Sequence, residues 1–72
     1  MSNKYPLLRP EEVISALVKR GFVYKSQKGS HVKYTNENRI TVIPMHDEVA
    51  RGTLKSILNQ AGIELDDFLK LL

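Results

Sequence analysis

The sequence predicts an α+β fold with the element order α-β-β-β-α: a three-stranded antiparallel sheet with helices on one face and a short C-terminal helix. Three observations predict it. Apolar residues recur at helical spacing near both ends of the chain, whereas the middle alternates with a period of two. Short polar links between the alternating segments are typical of an antiparallel meander. Helices that flank such a sheet pack together against one of its faces.

The first helix is predicted over residues 10–20, after a polar leader at residues 1–8. Pro10 suits its first turn, where no backbone donor is needed, and the glutamates that follow favour the positive end of the helix dipole. Gly21 ends the helix because glycine adopts a positive φ without steric cost. We expect its apolar face to consist of Val13, Ile14, Leu17 and Val18.

The strands are predicted over residues 22–27, 30–35 and 39–43, with Pro44 ending the third. Alternation then sorts their side chains between two faces. We expect the helices to cover Phe22, Tyr24, Val32, Tyr34, Ile40 and Val42. The opposite, open face would carry Val23, Lys25, Gln27, His31, Lys33, Thr35, Arg39, Thr41 and Ile43. The reverse assignment would bury Lys33 and Arg39, which argues against it.

The second helix follows a loop at residues 45–52. Thr53 is expected to cap its N-terminus through the hydroxyl, and Gly62 to end it. A final short helix begins near residue 64 or 65. The expected apolar faces are Leu54, Ile57, Leu58 and Ala61 in the second helix, and Leu65, Phe68, Leu69 and Leu72 in the last.

Length and composition exclude several function classes. The chain has 72 residues, which predicts one domain over residues 1–72 with a thin core and a shallow site. The absence of cysteine excludes disulfides, thiolate catalysis and cysteine zinc sites. No apolar run is long enough to span a membrane, and the first residues do not resemble a secretory signal, so we expect a cytoplasmic protein. The formal net charge of +3 permits an anionic partner.

The segment Lys28-Gly29-Ser30-His31 is the strongest candidate site. Glycine lets a ligand approach the backbone, and the Ser30 hydroxyl and Lys28 ammonium suit a phosphate. Histidine is a common general acid or base, so with His31 the group could hold and cleave a phosphodiester. The alternative is that this is an ordinary polar sheet face, on which lysine serves solubility.

His46 has two interpretations. In the structural one, which the sequence favours, it pins the loop by hydrogen bonds. In the functional one, it is a second proton-transfer group or a phosphate contact. A metal site built from His31, His46, Asp47 and Glu48 is possible in composition but lacks ligand spacing on one element. We therefore expect no metal and no cofactor.

Several motifs together resemble a known family. They are Gly29-Ser30-His31, Pro44-Met45-His46 and Gly52-Thr53-Leu54, in this order and spacing. The sequence resembles the HicA-type toxins, also called YcfA-like proteins, of prokaryotic toxin–antitoxin systems. The resemblance covers roughly residues 9–72.

The resemblance implies a fold like the double-stranded RNA-binding domain and the toxin role in a type II toxin–antitoxin system. It also implies an endoribonuclease that cleaves mRNA without the ribosome and without a metal. The family's catalytic histidine corresponds to His31, and its partner, a HicB-type antitoxin, masks the active surface. Many relatives place a lysine near Gly52, where this chain offers Arg51.

We therefore expect RNA to lie over the open face, with His31 acting as base on the 2′-hydroxyl or as acid on the leaving 5′-oxygen. The RNA-contacting residues are expected to be Lys25, Lys28, Gly29, Ser30, Lys33, Arg39 and Arg51. DNA lacks the 2′-hydroxyl that this chemistry needs. The alternatives are a non-catalytic RNA-binding module of the same fold and a domain that only binds a protein partner.

Overall fold

The computed structural model describes residues 4–72, so residues 1–3 of the expected leader lie outside the described part. The α-β-β-β-α order and the C-terminal helix are confirmed. The strands form one antiparallel sheet in the order β1-β2-β3. The elements are α1 Pro10–Lys19, β1 Val23–Lys28, β2 His31–Asn36, β3 Arg39–Pro44, α2 Arg51–Ala61 and α3 Leu65–Leu69.

The N-terminus of α2 lies earlier than predicted. The helix begins at Arg51, because the amide of Leu54 already donates to the carbonyl of Ala50 at 2.8 Å. Thr53 therefore lies inside the first turn, and its expected capping role is wrong. The other end is as predicted: Gly62 ends α2 with φ 72°. There the amide of Ile63 donates to the carbonyl of Leu58 at 3.1 Å.

The core lies between the two long helices and one face of the sheet. The predicted face of α2 is completely buried, as are Val13 and Leu17 of α1. Val18, in contrast, is 52% exposed, and Ala16 is buried instead. In α1 the buried positions step by three or four residues, and Val18 lies off that stripe. From α3, Phe68 is fully buried, whereas Leu69 is partly exposed.

The prediction for the faces of β3 is wrong. Thr41 and Ile43 are fully buried under the helices, whereas Ile40 is 44% exposed and Val42 only half-buried. The cause is the two-residue turn Glu37-Asn38, which pairs Asn36 with Arg39. Paired residues share a face, so this register places Thr41 opposite Tyr34 and Ile43 opposite Val32.

Two polar residues on the helix side of β3, Thr41 and Arg39, make hydrogen bonds to α2. The sequence pattern predicts the wrong face for them because polar residues are not expected under the helices. The Thr41 hydroxyl lies 3.1 Å from both the Ile57 carbonyl oxygen and Gln60 Oε1 in α2. Arg39 stays exposed, and its Nη1 donates to the Gln60 carbonyl at 3.5 Å. Within residues 4–72, no buried side-chain nitrogen or oxygen lacks a hydrogen-bond partner as a result.

A bulge in β1 also shifts the predicted faces. Tyr24 pairs with Tyr34, but Ser26 rather than Lys25 pairs with Lys33. Lys25 is the extra residue, so the alternation inverts after it. The inversion moves Gln27 to the helix side, opposite Val32, and brings Ser26 and Lys28 to the open face.

Tyr24 shares the helix-side face as predicted but is not a core residue. It is 57% exposed and meets the half-buried Tyr34 edge to face, with ring centroids 6.0 Å apart. The long helices pack mainly over β3, at the other edge of the sheet. All of β1 is consequently exposed.

Substitutions of Gly52 in α2 and of Gly62 directly after it are expected to change the free energy of unfolding in opposite directions. A Cβ at Gly62 would collide with the Arg39 guanidinium, and the φ of 72° at Gly62 disfavours any L side chain. We expect Gly62→Ala to lower the free energy of unfolding by about 1–2 kcal/mol. Gly52 lies inside the helix with nothing near its Cβ position, so Gly52→Ala should raise it by about 0.4–1 kcal/mol. Urea unfolding measures both, and changes of the same sign would contradict this account.

Candidate functional site

The open face, which is the sheet surface away from the helices, consists of three rows of cross-strand neighbours. The register assigns each row one residue from β1, β2 and β3 in turn. The rows are Val23, Thr35 and Ile40; Ser26, Lys33 and Val42; and Lys28, His31 and Pro44. Apolar side chains thus dominate one end of the face, whereas the cationic and imidazole groups lie toward the other.

His31 lies in the last row, at the start of the central strand and directly after a tight turn. The turn contains only Gly29 and Ser30, because Lys28 pairs with His31. Gly29 has φ 59° and nothing within 4 Å of a Cβ position, so its conformation rather than lack of space favours glycine. The backbone of this turn is therefore open to a ligand beside His31.

The loop after β3 brings His46 to the same place. The amide of Met45 donates to the Ser30 carbonyl at 2.6 Å, which extends the pairing of β2 with β3 past Pro44. As a result the His31 and His46 ring centroids lie 6.4 Å apart, with their planes at 85°. Periodicity alone does not predict this proximity, because it depends on a backbone bond between two loops.

The interpretation that His46 pins the loop by hydrogen bonds finds no support within residues 4–72. Its side chain is exposed and makes no hydrogen bond to any of them. The loop is held by backbone bonds instead, at Met45 and again where the Val49 amide donates to the Leu8 carbonyl at 2.7 Å. The His46 imidazole is thus available to a ligand.

The predicted RNA-contacting cations do not all lie on one face. Lys28 and Lys33 lie on the open face with His31, and Lys25 occupies the bulge. Arg39 lies on the helix side, so the expectation that it joins the open face is wrong. Arg51 is exposed at the start of α2, where its Nε donates to the Tyr5 carbonyl at 2.8 Å.

The sequence pattern predicted Val23 on the open face but not Ile40 and Val42. Ile40 and Val42 were assigned to the core, yet they lie beside Thr35 and Lys33 on the exposed side. These two residues follow each other along β3, and Val23, which is 60% exposed, lies on β1 on the other side of Thr35; the three residues are called the apolar strip below. The signal that could have revealed it is the length of the β2–β3 turn, because a two-residue turn fixes which residues of the two strands share a face.

The site is a surface rather than a cleft, in agreement with the expectation from chain length. Two depressions of about 490 and 590 Å³ lie near the C-terminal end of α2, and neither is lined by His31 or His46. Within residues 4–72, no three side chains of His, Cys, Asp or Glu come together as metal ligands would. No helix in that same part of the chain is long and apolar enough to cross a membrane.

Comparison with known families decides the family of the chain. The family described as the HicA toxin of bacterial toxin–antitoxin systems matches residues 10–63. The chain belongs to the HicA toxin family. The matched segment contains α1, the whole sheet, both histidines and α2. A comparison with curated proteins returns no significant match.

Membership assigns the general biological role. The chain is a toxin of a bacterial toxin–antitoxin system, and a cognate antitoxin is the partner that this role implies. The resemblance noted from the glycine-serine-histidine and proline-x-histidine motifs is thereby confirmed at the level of the family.

Proposed function

We propose that this HicA toxin is an endoribonuclease that cleaves mRNA without a metal ion and without the ribosome, with His31 as general acid or general base. The observation that carries the proposal is the set of residues that surround His31 on the sheet. Its exposed imidazole lies between the Lys28 position on β1 and Pro44 on β3, and Lys33 follows on the same face. An imidazole beside cations suits proton transfer at a bound phosphodiester.

The phosphate contacts follow from the open face. Lys28 and Lys33 supply cations, and the turn of Gly29 and Ser30 supplies an accessible backbone and a hydroxyl beside them. Lys25 at the bulge adds a cation to this surface, and the exposed Arg51 at the start of α2 is a further candidate contact. Because the reaction uses the ribose 2′-hydroxyl as nucleophile, RNA rather than DNA is the substrate. An mRNA substrate also assigns the activity to the cytoplasm.

A HicB-type antitoxin is the partner that we propose for the same face. In the apolar strip, Val42 lies in the row next to the one that carries His31, and Val23 and Ile40 lie one row further away. Exposed apolar groups bordered by charged ones are typical of protein interfaces. An antitoxin that buries this strip would cover the basic row at the same time and so exclude RNA.

Replacement of His31 tests the proposed activity. We expect wild-type protein to cleave a long single-stranded RNA in excess EDTA, and His31→Ala to reduce the rate by about 10²–10⁴-fold, the usual contribution of a general acid or base. Because His31 is exposed, the variant should keep the wild-type thermal midpoint and should still bind RNA. Gel analysis of the products measures the rates.

The other outcomes separate the competing functions. Equal cleavage by both proteins would show that His31 is not the catalyst, and loss of wild-type cleavage in EDTA would show that a metal is needed. If neither protein cleaves, salt-dependent RNA binding would indicate a non-catalytic RNA-binding module. No binding at all would indicate a domain that binds only a protein partner.

The salt dependence of RNA binding tests which face carries the RNA. In the His31→Ala background, Lys28→Gln and Lys33→Gln should each reduce the slope of log K against log salt by about 0.7, the value for one single-strand phosphate contact. Arg39→Gln is the matched control, since Arg39 lies on the helix side. A reduced slope for Arg39→Gln alone would place the RNA on the wrong face for this proposal. Fluorescence anisotropy at several salt concentrations gives the slopes.

A further inference from the structure

We propose that His46 is the second proton-transfer group of the site, so that His31 and His46 act as a pair on one phosphodiester and release a 2′,3′-cyclic phosphate. The inference rests on the proposed ribonuclease function and adds a catalytic residue and a product to it. It begins from the structural result that the two imidazoles are neighbours, although fifteen positions separate them in the sequence.

The separation of the rings fits one phosphate between them. Their centroids are 6.4 Å apart and their planes are nearly perpendicular, so the rings do not stack on each other. A general acid or base needs a hydrogen bond of about 2.6–3.2 Å to its reacting atom. Two such bonds to one phosphate group require imidazoles that are near each other but not stacked, and the centroid distance and the ring planes meet that requirement.

Both imidazoles are also free to react. Each is exposed, and within residues 4–72 neither donates or accepts a hydrogen bond through its ring. A histidine with a structural role is normally fixed by such bonds. The position of His46 is fixed instead by its backbone, through the 2.6 Å bond from the Met45 amide to the Ser30 carbonyl.

Both cationic and anionic residues are neighbours of the two histidines, either across the sheet or along the chain. Lys28 is the cross-strand neighbour of His31, and Lys33 follows on the same face. Asp47 and Glu48 follow His46 along the loop, and both are exposed. The lysines suit the non-bridging phosphate oxygens, so both histidines remain available to the two oxygens that exchange protons.

The reaction balances with two imidazoles and no other reactant. The neutral imidazole accepts the proton of the 2′-hydroxyl as the 2′-oxygen forms a bond to phosphorus. The bond from phosphorus to the 5′-oxygen breaks, and the protonated imidazole donates its proton to that oxygen. The products are a 2′,3′-cyclic phosphate and a free 5′-hydroxyl. The two histidines end with exchanged protonation states, and each can then reverse its role with water as the nucleophile.

A substrate with an altered leaving group tests the pair directly. When the bridging 5′-oxygen is replaced by sulfur, the leaving group is a thiolate, which departs without a proton. On ordinary RNA, we expect His46→Gln and His31→Gln each to lower kcat by about 10²-fold or more. On the sulfur-containing RNA, the variant that lacks the general acid should recover to within about tenfold of wild type, whereas the variant that lacks the base should stay slow.

A loop control and the product analysis complete the experiment. Asp47→Asn changes the residue next to His46 without touching either imidazole, and it should cleave both substrates at the wild-type rate. Chromatography of wild-type products should show 2′,3′-cyclic phosphate ends at early times. His46→Gln should keep the wild-type thermal midpoint, because the side chain it alters is exposed.

The results that overturn this inference differ from those that overturn the proposed function. If the wild-type protein does not cleave RNA, both the proposed ribonuclease function and the role of His46 are wrong. If wild type cleaves and His31→Gln does not, but His46→Gln retains the wild-type rate, only the role of His46 is removed. The same holds if His46→Gln is slow and neither single variant recovers on the sulfur-containing substrate, since His46 then only shapes the loop.

Discussion

The two-residue turn at Glu37 and Asn38 is the constraint on which the rest of the molecule depends. Because it pairs Asn36 with Arg39, it determines which face each later residue of β3 lies on and which residue of β2 lies beside it. Thr41 and Ile43 enter the core, and Pro44 arrives beside His31. Glu37 adopts φ 54° to close so short a turn, a conformation that costs an ordinary L residue about 1–2 kcal/mol. The packing of Ile43 and the partners of Thr41 on α2 offset that cost.

The same register links the core to the site. If β3 slipped by one residue, the Thr41 hydroxyl would lose its acceptors on α2, and Ile43 would leave the core for the open face. The slip would also move Pro44 away from His31 and break the bond between Met45 and Ser30 that positions the next loop. The distance between the two imidazoles is therefore held by the burial of residues on the opposite side of the sheet.

The sequence pattern predicted the structure correctly where its periodicity allowed only one interpretation. The face of α2 and its end at Gly62 followed from helical spacing and from a glycine suited to positive φ. The exposed position of His31 on the central strand also followed from alternation. In β3, however, both parities contain apolar residues, so alternation alone could not choose between Ile40 and Ile43. The bulge at Lys25 and the approach of His46 depend on pairing between distant segments, which no local pattern contains.

A site without a cleft places particular demands on its chemistry and its control. His31 and His46 lie on an open surface, so exclusion of water cannot strengthen their interactions with a substrate. On the proposed function, the rate must then come from placing proton-transfer groups and cations around one phosphate, which a rigid strand and a clamped loop achieve. A flat surface also offers no lid that could close it. Control by an antitoxin is consistent with this geometry, because on the proposed function a second protein that covers the face would keep both imidazoles from RNA at once.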